Sequence, residues 1–130
     1  MGTQSPDRNR ESVVVLLADD ELVVRSLARS VLVSAGYKVL DATDGEHALE
    51  VSRGYAGSID VLLTDVKMPK MNGPELSAQV TAERPGIKIL FMSGKTSGDL
   101  VVQGQKIDFL RKPFQPETLC DRINSLLSTE

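Results

Sequence analysis

Short apolar runs along the chain alternate with segments of helical periodicity. The runs predict five strands, which cover residues 13–18, 37–42, 59–64, 87–92 and 109–110. Apolar residues three and four apart, together with capping residues, predict helices over residues 22–33, 44–51, 74–83 and from residue 116 onward. Strands that alternate with helices at this spacing form a parallel sheet with helices on both faces. The pattern therefore predicts an α/β fold.

Composition narrows the class of protein. The chain has 130 residues, the size of one domain, and its 41% hydrophobic and 25% charged residues exclude disordered and fibrous classes. A net charge of −3 argues against a nucleic-acid-binding surface. The single cysteine, Cys120, cannot form an internal disulfide, and no apolar run approaches the ~20 residues that cross a bilayer. We therefore expect a cytoplasmic domain over residues 13–128 without membrane or direct nucleic-acid contact, preceded by a disordered leader or linker over residues 1–12.

Polar residues that suit one kind of chemistry follow four of the predicted strands. Asp19 and Asp20 come after the first strand, Asp65 after the third, Ser93 after the fourth and Lys112 after the fifth. The carboxyl ends of parallel strands meet at one edge of the sheet, where ligands bind. We therefore expect three carboxylates, one hydroxyl and one ammonium to converge there.

This set of groups suits phosphoryl transfer. Clustered carboxylates resist ionisation unless a cation lies between them, and oxygen ligands without histidine or thiolate favour Mg2+. A carboxylate can attack phosphorus and form an acyl phosphate. Asp65, held at the centre of the sheet, is the predicted nucleophile, while Lys112 and Ser93 would interact with the phosphate oxygens.

Four motifs resemble those of a known family. Residues 17–21 (LADDE), 63–73 (LTDVKMPKMNG), 92–94 (MSG) and 112–114 (KPF) resemble, in order and position, the receiver domain of two-component response regulators. The resemblance covers about residues 13–127. It implies a flavodoxin-like (βα)5 fold, a three-layer sandwich around a five-stranded parallel sheet of order 2-1-3-4-5.

The resemblance also implies a site with Mg2+ as cofactor. Asp65 would accept a phosphoryl group from a phosphohistidine of a histidine kinase or histidine phosphotransfer domain. Asp20, Asp65 and the backbone carbonyl of Lys67 would bind the ion directly, and Asp19 would bind it through water.

A conformational switch is implied as well. Ser93 matches the hydroxyl that moves towards the phosphoryl group, and Phe109 matches the ring that then turns inward. Lys112 matches an invariant lysine of the family, and its bond to Pro113 matches a cis peptide.

One segment departs from the family pattern. Residues 94–108 are fewer than receivers usually have there, and they include Gly98 and Gly104, which are poor residues for a helix interior. We predict that the fourth helix is short, displaced or mobile.

Several functional alternatives stay open. A phosphohydrolase similar to haloacid dehalogenases would use an aspartyl phosphate too, but it needs a second aspartate where this chain has Lys67. A degenerate receiver acting only as a binding module would lack key residues, which are present here.

The domain is not expected to be an enzyme beyond its own phosphorylation and dephosphorylation. The residues of the motifs are similar to those of the C-terminal receiver of hybrid sensor histidine kinases, and a stand-alone regulator is the alternative. A homodimer is also left open.

Overall fold

The computed structural model describes residues 13–94, 101–102, 105–106 and 108–128. Within them lie seven strands and four helices. The strands are β1 (Val14–Ala18), β2 (Lys38–Ala42), β3 (Val61–Asp65), β4 (Lys88–Ser93), β5 (Val101–Val102), β6 (Gln105–Lys106) and β7 (Asp108–Arg111). The helices are α1 (Leu22–Ser34), α2 (Gly45–Gly54), α3 (Gly73–Glu83) and α4 (Pro116–Ser128).

Five strands form one parallel sheet in the order β2-β1-β3-β4-β7. With β7 as the fifth strand, this confirms the predicted order 2-1-3-4-5. All five residues of β1 and all five of β3 are buried. Continuous burial is expected of a strand whose two faces are both covered, and it explains why the sequence of these strands does not alternate between apolar and polar residues.

Each face of the sheet has its own core, which confirms the three-layer arrangement. Helices α1 and α4 cover one face, where Leu32 and Ile123 pack with Leu63. Helices α2 and α3 cover the other, where Leu49 and Leu76 belong to one buried cluster. None of the helices that the structure describes has the length and apolarity needed to span a bilayer.

Two helices begin where the sequence predicts. The side chain of Asp44 caps α2 by accepting a hydrogen bond of 2.8 Å from the backbone N–H of His47. At α3, Asn72 and Glu75 form a reciprocal capping box, and Pro74 lies in the first turn. Both caps face the carboxyl edge of the sheet, because each helix follows the end of a strand.

Between β4 and β7, the residues that the structure describes include two short strands in place of the fourth helix of the family pattern. Strands β5 and β6 pair with each other as a separate antiparallel sheet, and no helix occurs among the described residues of this segment. Gly98 and Gly104 lie outside the described residues, as does the predicted leader over residues 1–12. The predicted mobility of the segment therefore stays a prediction.

Candidate functional site

Side chains from three strand ends meet at the carboxyl edge of the sheet. The ammonium of Lys112 lies 3.0 Å from Asp19 Oδ2, 3.1 Å from Glu21 Oε1 and 3.5 Å from Asp65 Oδ2. Asp19 follows β1, Asp65 ends β3 and Lys112 follows β7, which are the positions from which we expected convergence. The sheet thus brings together two of the predicted carboxylates and the predicted ammonium.

Backbone hydrogen bonds hold the ends of the strands in place. The N–H of Val66 donates to Met92 O over 3.0 Å, and the N–H of Lys112 donates to Ser93 O over 2.9 Å. These bonds extend the ladders of the sheet one residue past β3 and past β7. The peptide bond between Lys112 and Pro113 is cis, as the motif predicted. Asp65 and Lys112 are therefore held by the main chain of the sheet as well as by each other.

A glycine closes the loop that follows Asp65. The N–H of Gly73 donates to Val66 O over 2.8 Å, which joins the two ends of the loop over residues 66–72. A Cβ atom at Gly73 would lie 2.3 Å from Asp65 O, closer than any real contact. Only glycine lets this part of the chain approach the backbone of Asp65 so closely.

Asp19 is fully buried, and its two carboxylate oxygens differ. Oδ1 accepts a hydrogen bond of 2.8 Å from the N–H of Glu21, and Arg25 Nη1 donates to the backbone oxygen of Asp19 over 2.8 Å. Oδ2 lies 3.0 Å from the Lys112 ammonium and forms an ion pair with it. Within the part of the chain that the structure describes, it is the one buried side-chain nitrogen or oxygen without a hydrogen-bond partner. Asp19 can therefore accept a further donor or a cation.

The electrostatics of the site disfavour the ionised form of Asp65. Burial raises its pKa from the ordinary 3.8 to about 6; the Lys112 charge opposes this rise and the Asp19 charge adds to it. Burial lowers the pKa of Lys112, but its interactions with Asp19 and Glu21 and the charge of Asp65 outweigh that effect and leave the pKa raised. The ammonium thus stays charged beside a carboxyl group that is only weakly acidic.

The acidic residues after β1 are arranged differently from the sequence prediction. Ligand oxygens of Asp19, Glu21 and Asp65 all lie within 4.8 Å of one another, whereas Asp20 is exposed and does not belong to this group. Sequence reasoning assigned no role to Glu21 or to Arg25. The sequence feature that could have indicated a role for Glu21 is its position as a third acidic residue, directly after Asp19 and Asp20.

The remaining predicted residues lie around this centre. Ser93 ends β4, is half-buried and pairs in register with Arg111. Phe109 is half-buried in β7 and lies beside Phe91 of β4. Lys67 is exposed in the loop after Asp65. The roles predicted for these residues stay predictions.

Comparisons with known proteins agree on one family. A family model described as the response regulator receiver domain matches residues 15–124. The sensor kinase CckA of Brucella abortus is 34% identical over 92% of this chain. The crystal structure of the receiver domain from the hybrid histidine kinase CckA superposes with a TM-score of 0.76 at 37% identity, over 88% of this chain and 98% of that one. Vibrio cholerae chemotaxis protein CheY4 gives a TM-score of 0.77 at 30% identity, with the same coverage.

The lengths of the relatives differ from that of this chain. The chain spans 13% of the Brucella sensor kinase and about half the length of the other curated relatives that it matches. The similarity therefore concerns one domain of each of those proteins.

Proposed function

Because the chain belongs to the response regulator receiver domain family, we propose that Asp65 accepts a phosphoryl group from a phosphohistidine and that the phosphorylated domain signals to a partner. The observation that carries the proposal is the place of the Asp65 carboxylate. It lies at the end of the central strand β3, 3.5 Å from Lys112 Nζ and close to a second, fully buried carboxylate.

In the proposed transfer, a carboxylate oxygen of Asp65 attacks phosphorus as the bond from phosphorus to the donor imidazole nitrogen breaks. The electron pair of that bond stays on the imidazole, and Asp65 becomes an acyl phosphate. Negative charge on the transferring oxygens is offset by the Lys112 ammonium, which acts as a point charge. Ser93 Oγ, at the end of β4, is proposed to donate to one of these oxygens.

The donor set at the site fits Mg2+, an ion that prefers carboxylate and carbonyl oxygens. Asp19 Oδ2 is buried without a hydrogen-bond partner, and Asp65 is hard to ionise. A bound cation would therefore stabilise negative charge on both side chains. We propose that Asp20, Asp65 and the backbone carbonyl of Lys67 bind the ion directly and that Asp19 binds it through water. When bound, the ion neutralises charge on the carboxylates and on the phosphoryl oxygens.

Phosphorylation is proposed to act as a switch through charge. It adds about −1.5 to −2 charge beside Lys112. Ser93 would move towards this charge, and the ring of Phe109 in the neighbouring strand would fill the space that Ser93 leaves. Such a change shifts the populations of two existing states of the domain.

Helix α1 is proposed as the docking surface for the phosphohistidine partner, a histidine kinase or a histidine phosphotransfer domain. Within the described residues, the exposed large hydrophobic side chains all lie on this helix; they are Leu22, Val23, Leu27 and Val33. Leu22 and Val23 begin α1, next to the acidic residues after β1. Exposed apolar side chains at the start of the helix suit contact with a partner protein, and a partner bound there would bring its histidine to the edge of the sheet that holds Asp65.

The parent protein is proposed to be a hybrid sensor histidine kinase, with this chain as its receiver. The similarity to the CckA receiver supports this assignment. A stand-alone regulator is the second candidate, and it is supported by the similarity to CheY4, of which the match covers 98%. In both cases the domain itself would only phosphorylate and dephosphorylate its own Asp65.

The test is intact-mass spectrometry after incubation with Mg2+ and acetyl phosphate. We expect one phosphoryl group on the wild-type chain, none on Asp65→Asn and none when a chelator removes the metal. A beryllofluoride binding measurement controls for a short-lived adduct. Absence of both the adduct and beryllofluoride binding in the folded wild type would overturn the proposal.

A further inference from the structure

The Lys112 ammonium is shared among three carboxylates, and the proposed acceptor is the most distant of them. Lys112 Nζ lies 3.0 Å from Asp19 and donates a hydrogen bond of 3.1 Å to Glu21, whereas Asp65 is 3.5 Å away. Asp19 and Asp65 already have roles in the proposed chemistry. Glu21 has none, although it makes one of the two shorter contacts with the ammonium.

We propose that Glu21 is a positioning residue, which holds Lys112 in the unphosphorylated chain and competes with an incoming phosphoryl group for it. This inference rests on the proposed function of Asp65. The backbone of Glu21 is fixed, because its N–H donates to Asp19 Oδ1 over 2.8 Å. Its side chain is 61% exposed and can turn into solvent, while the 11% exposed Lys112 keeps its contacts with Asp19 and Asp65.

The competition has a direct consequence for the transfer step. With acetyl phosphate as donor, the bond from Asp65 to phosphorus forms while the bond from phosphorus to the acetate oxygen breaks, and acetate leaves with the electron pair. The ammonium that offsets charge in this step is then shared between the transferring oxygens and Glu21. The Glu21 carboxylate therefore slows the phosphorylation of Asp65 and weakens the binding of phosphoryl analogues.

Glu21→Gln tests this competition, with Glu46→Gln as the matched control. Glu46 lies in the first turn of α2, at the same edge of the sheet, and it is exposed. Glu21→Gln should raise the rate of phosphorylation by acetyl phosphate and the affinity for beryllofluoride about two- to fivefold, the range expected for the loss of one exposed ion pair. Glu46→Gln should leave both unchanged, and neither substitution should change the melting temperature appreciably.

A second measurement follows Lys112 itself. An amine-acetylating reagent should modify Lys112 about two- to fivefold faster in Glu21→Gln, because the Glu21 carboxylate no longer holds the amine in an ion pair. The exposed Lys67 serves as internal reference, since its modification should not change.

The two measurements distinguish the possible failures. A higher phosphorylation rate with unchanged Lys112 modification would mean that Glu21 acts only by its charge, and this would overturn the inference. Unchanged modification and rate would overturn it as well. If the wild type takes up no phosphoryl group and binds no beryllofluoride, the proposed function of Asp65 fails, and the modification of Lys112 alone then decides whether Glu21 holds the ammonium.

Discussion

At the scale of single residues, the site places a weakly acidic carboxyl group beside a strongly held ammonium. Asp65 and Asp19 repel each other when both are ionised, and burial removes the water that would stabilise either charge. Lys112 lowers this cost for both residues, yet it does not restore the ordinary pKa of Asp65. The arrangement is thus less stable than it would be without the second negative charge, which is typical of a site whose groups serve chemistry.

The raised pKa of Asp65 predicts how stability depends on pH in the absence of metal. The pKa in the folded chain, about 6, exceeds the ordinary 3.8, so the folded state gains stability from protonation of Asp65 at low pH and loses it as pH rises through about 6. A shift of about two pKa units corresponds to at most about 3 kcal/mol, and solvent screening at the open edge reduces this to about 1–2 kcal/mol.

The substitution Asp65→Asn isolates the contribution of the Asp65 charge to the free energy of unfolding. In the presence of a chelator, the variant should be more stable than the wild type at pH 8, and the difference should shrink as pH falls to 5. Urea unfolding at a series of pH values measures both free energies of unfolding. A difference that stays constant from pH 5 to pH 8 would contradict the raised pKa.

At the scale of elements, glycines allow close packing around the loop over residues 66–72. Gly73 packs against Asp65 O, and a Cβ atom at Gly45 of α2 would lie 2.1 Å from Met71 O. Helix α2 and this loop therefore approach each other more closely than a side chain would permit. The loop includes Lys67, so the packing of α2 contributes to the shape of the proposed metal site.

Two glycines in one helix provide a matched comparison. Gly45→Ala should lower the free energy of unfolding by about 1–3 kcal/mol, because the backbone at Met71 must move to admit a methyl group. Gly54→Ala, at the other end of α2, meets no atom within 4 Å and should raise it by about 0.5 kcal/mol, since alanine is the better helix residue. Urea unfolding compares them. Equal effects of the two substitutions would show that the close approach at Met71 is not required.

The elements themselves were largely predictable from the pattern of apolar residues. The buried strand β1 and the first three residues of β3 are apolar because helices cover both of their faces, and the predicted and observed strands agree to within one or two residues. The two-residue strands β5 and β6 were not predicted. They are too short for a periodic signal, and their pairing depends on contact between two strands.

At the scale of the whole molecule, the site joins the ends of β1, β3 and β7 at one edge of the sheet, so a ligand bound there should stabilise the entire fold. The acidic group at this edge includes the buried Asp19 and the exposed Glu21, and Asp19 Oδ2 has only the ion pair with Lys112. A cation that binds only the folded chain shifts the unfolding equilibrium towards it by mass action.

Mg2+ at about ten times its dissociation constant should therefore raise the free energy of unfolding by about 1.4 kcal/mol. Removal of the ion by a chelator should reverse the effect, and Asp20→Asn should abolish most of it if Asp20 is a direct ligand. Calorimetry with and without Mg2+, at matched ionic strength, measures the shift. The same stabilisation by sodium chloride, or in the Asp20→Asn variant, would argue against the proposed ligand set.

The sequence by itself determined the class of fold, the order of the strands through its family motifs, and the convergence of Asp19, Asp65 and Lys112, because each follows a strand and parallel strands end together. Only the tertiary structure decided which groups touch. The ion pair between Glu21 and Lys112 joins residues 91 positions apart. Likewise, Arg84 donates to the carbonyl oxygens of Ser52 and Tyr55, which ties the end of α3 to the last turn of α2 and the residue after it. Such contacts depend on side-chain direction and on the packing of distant segments, whereas periodicity reports only which face of an element is buried.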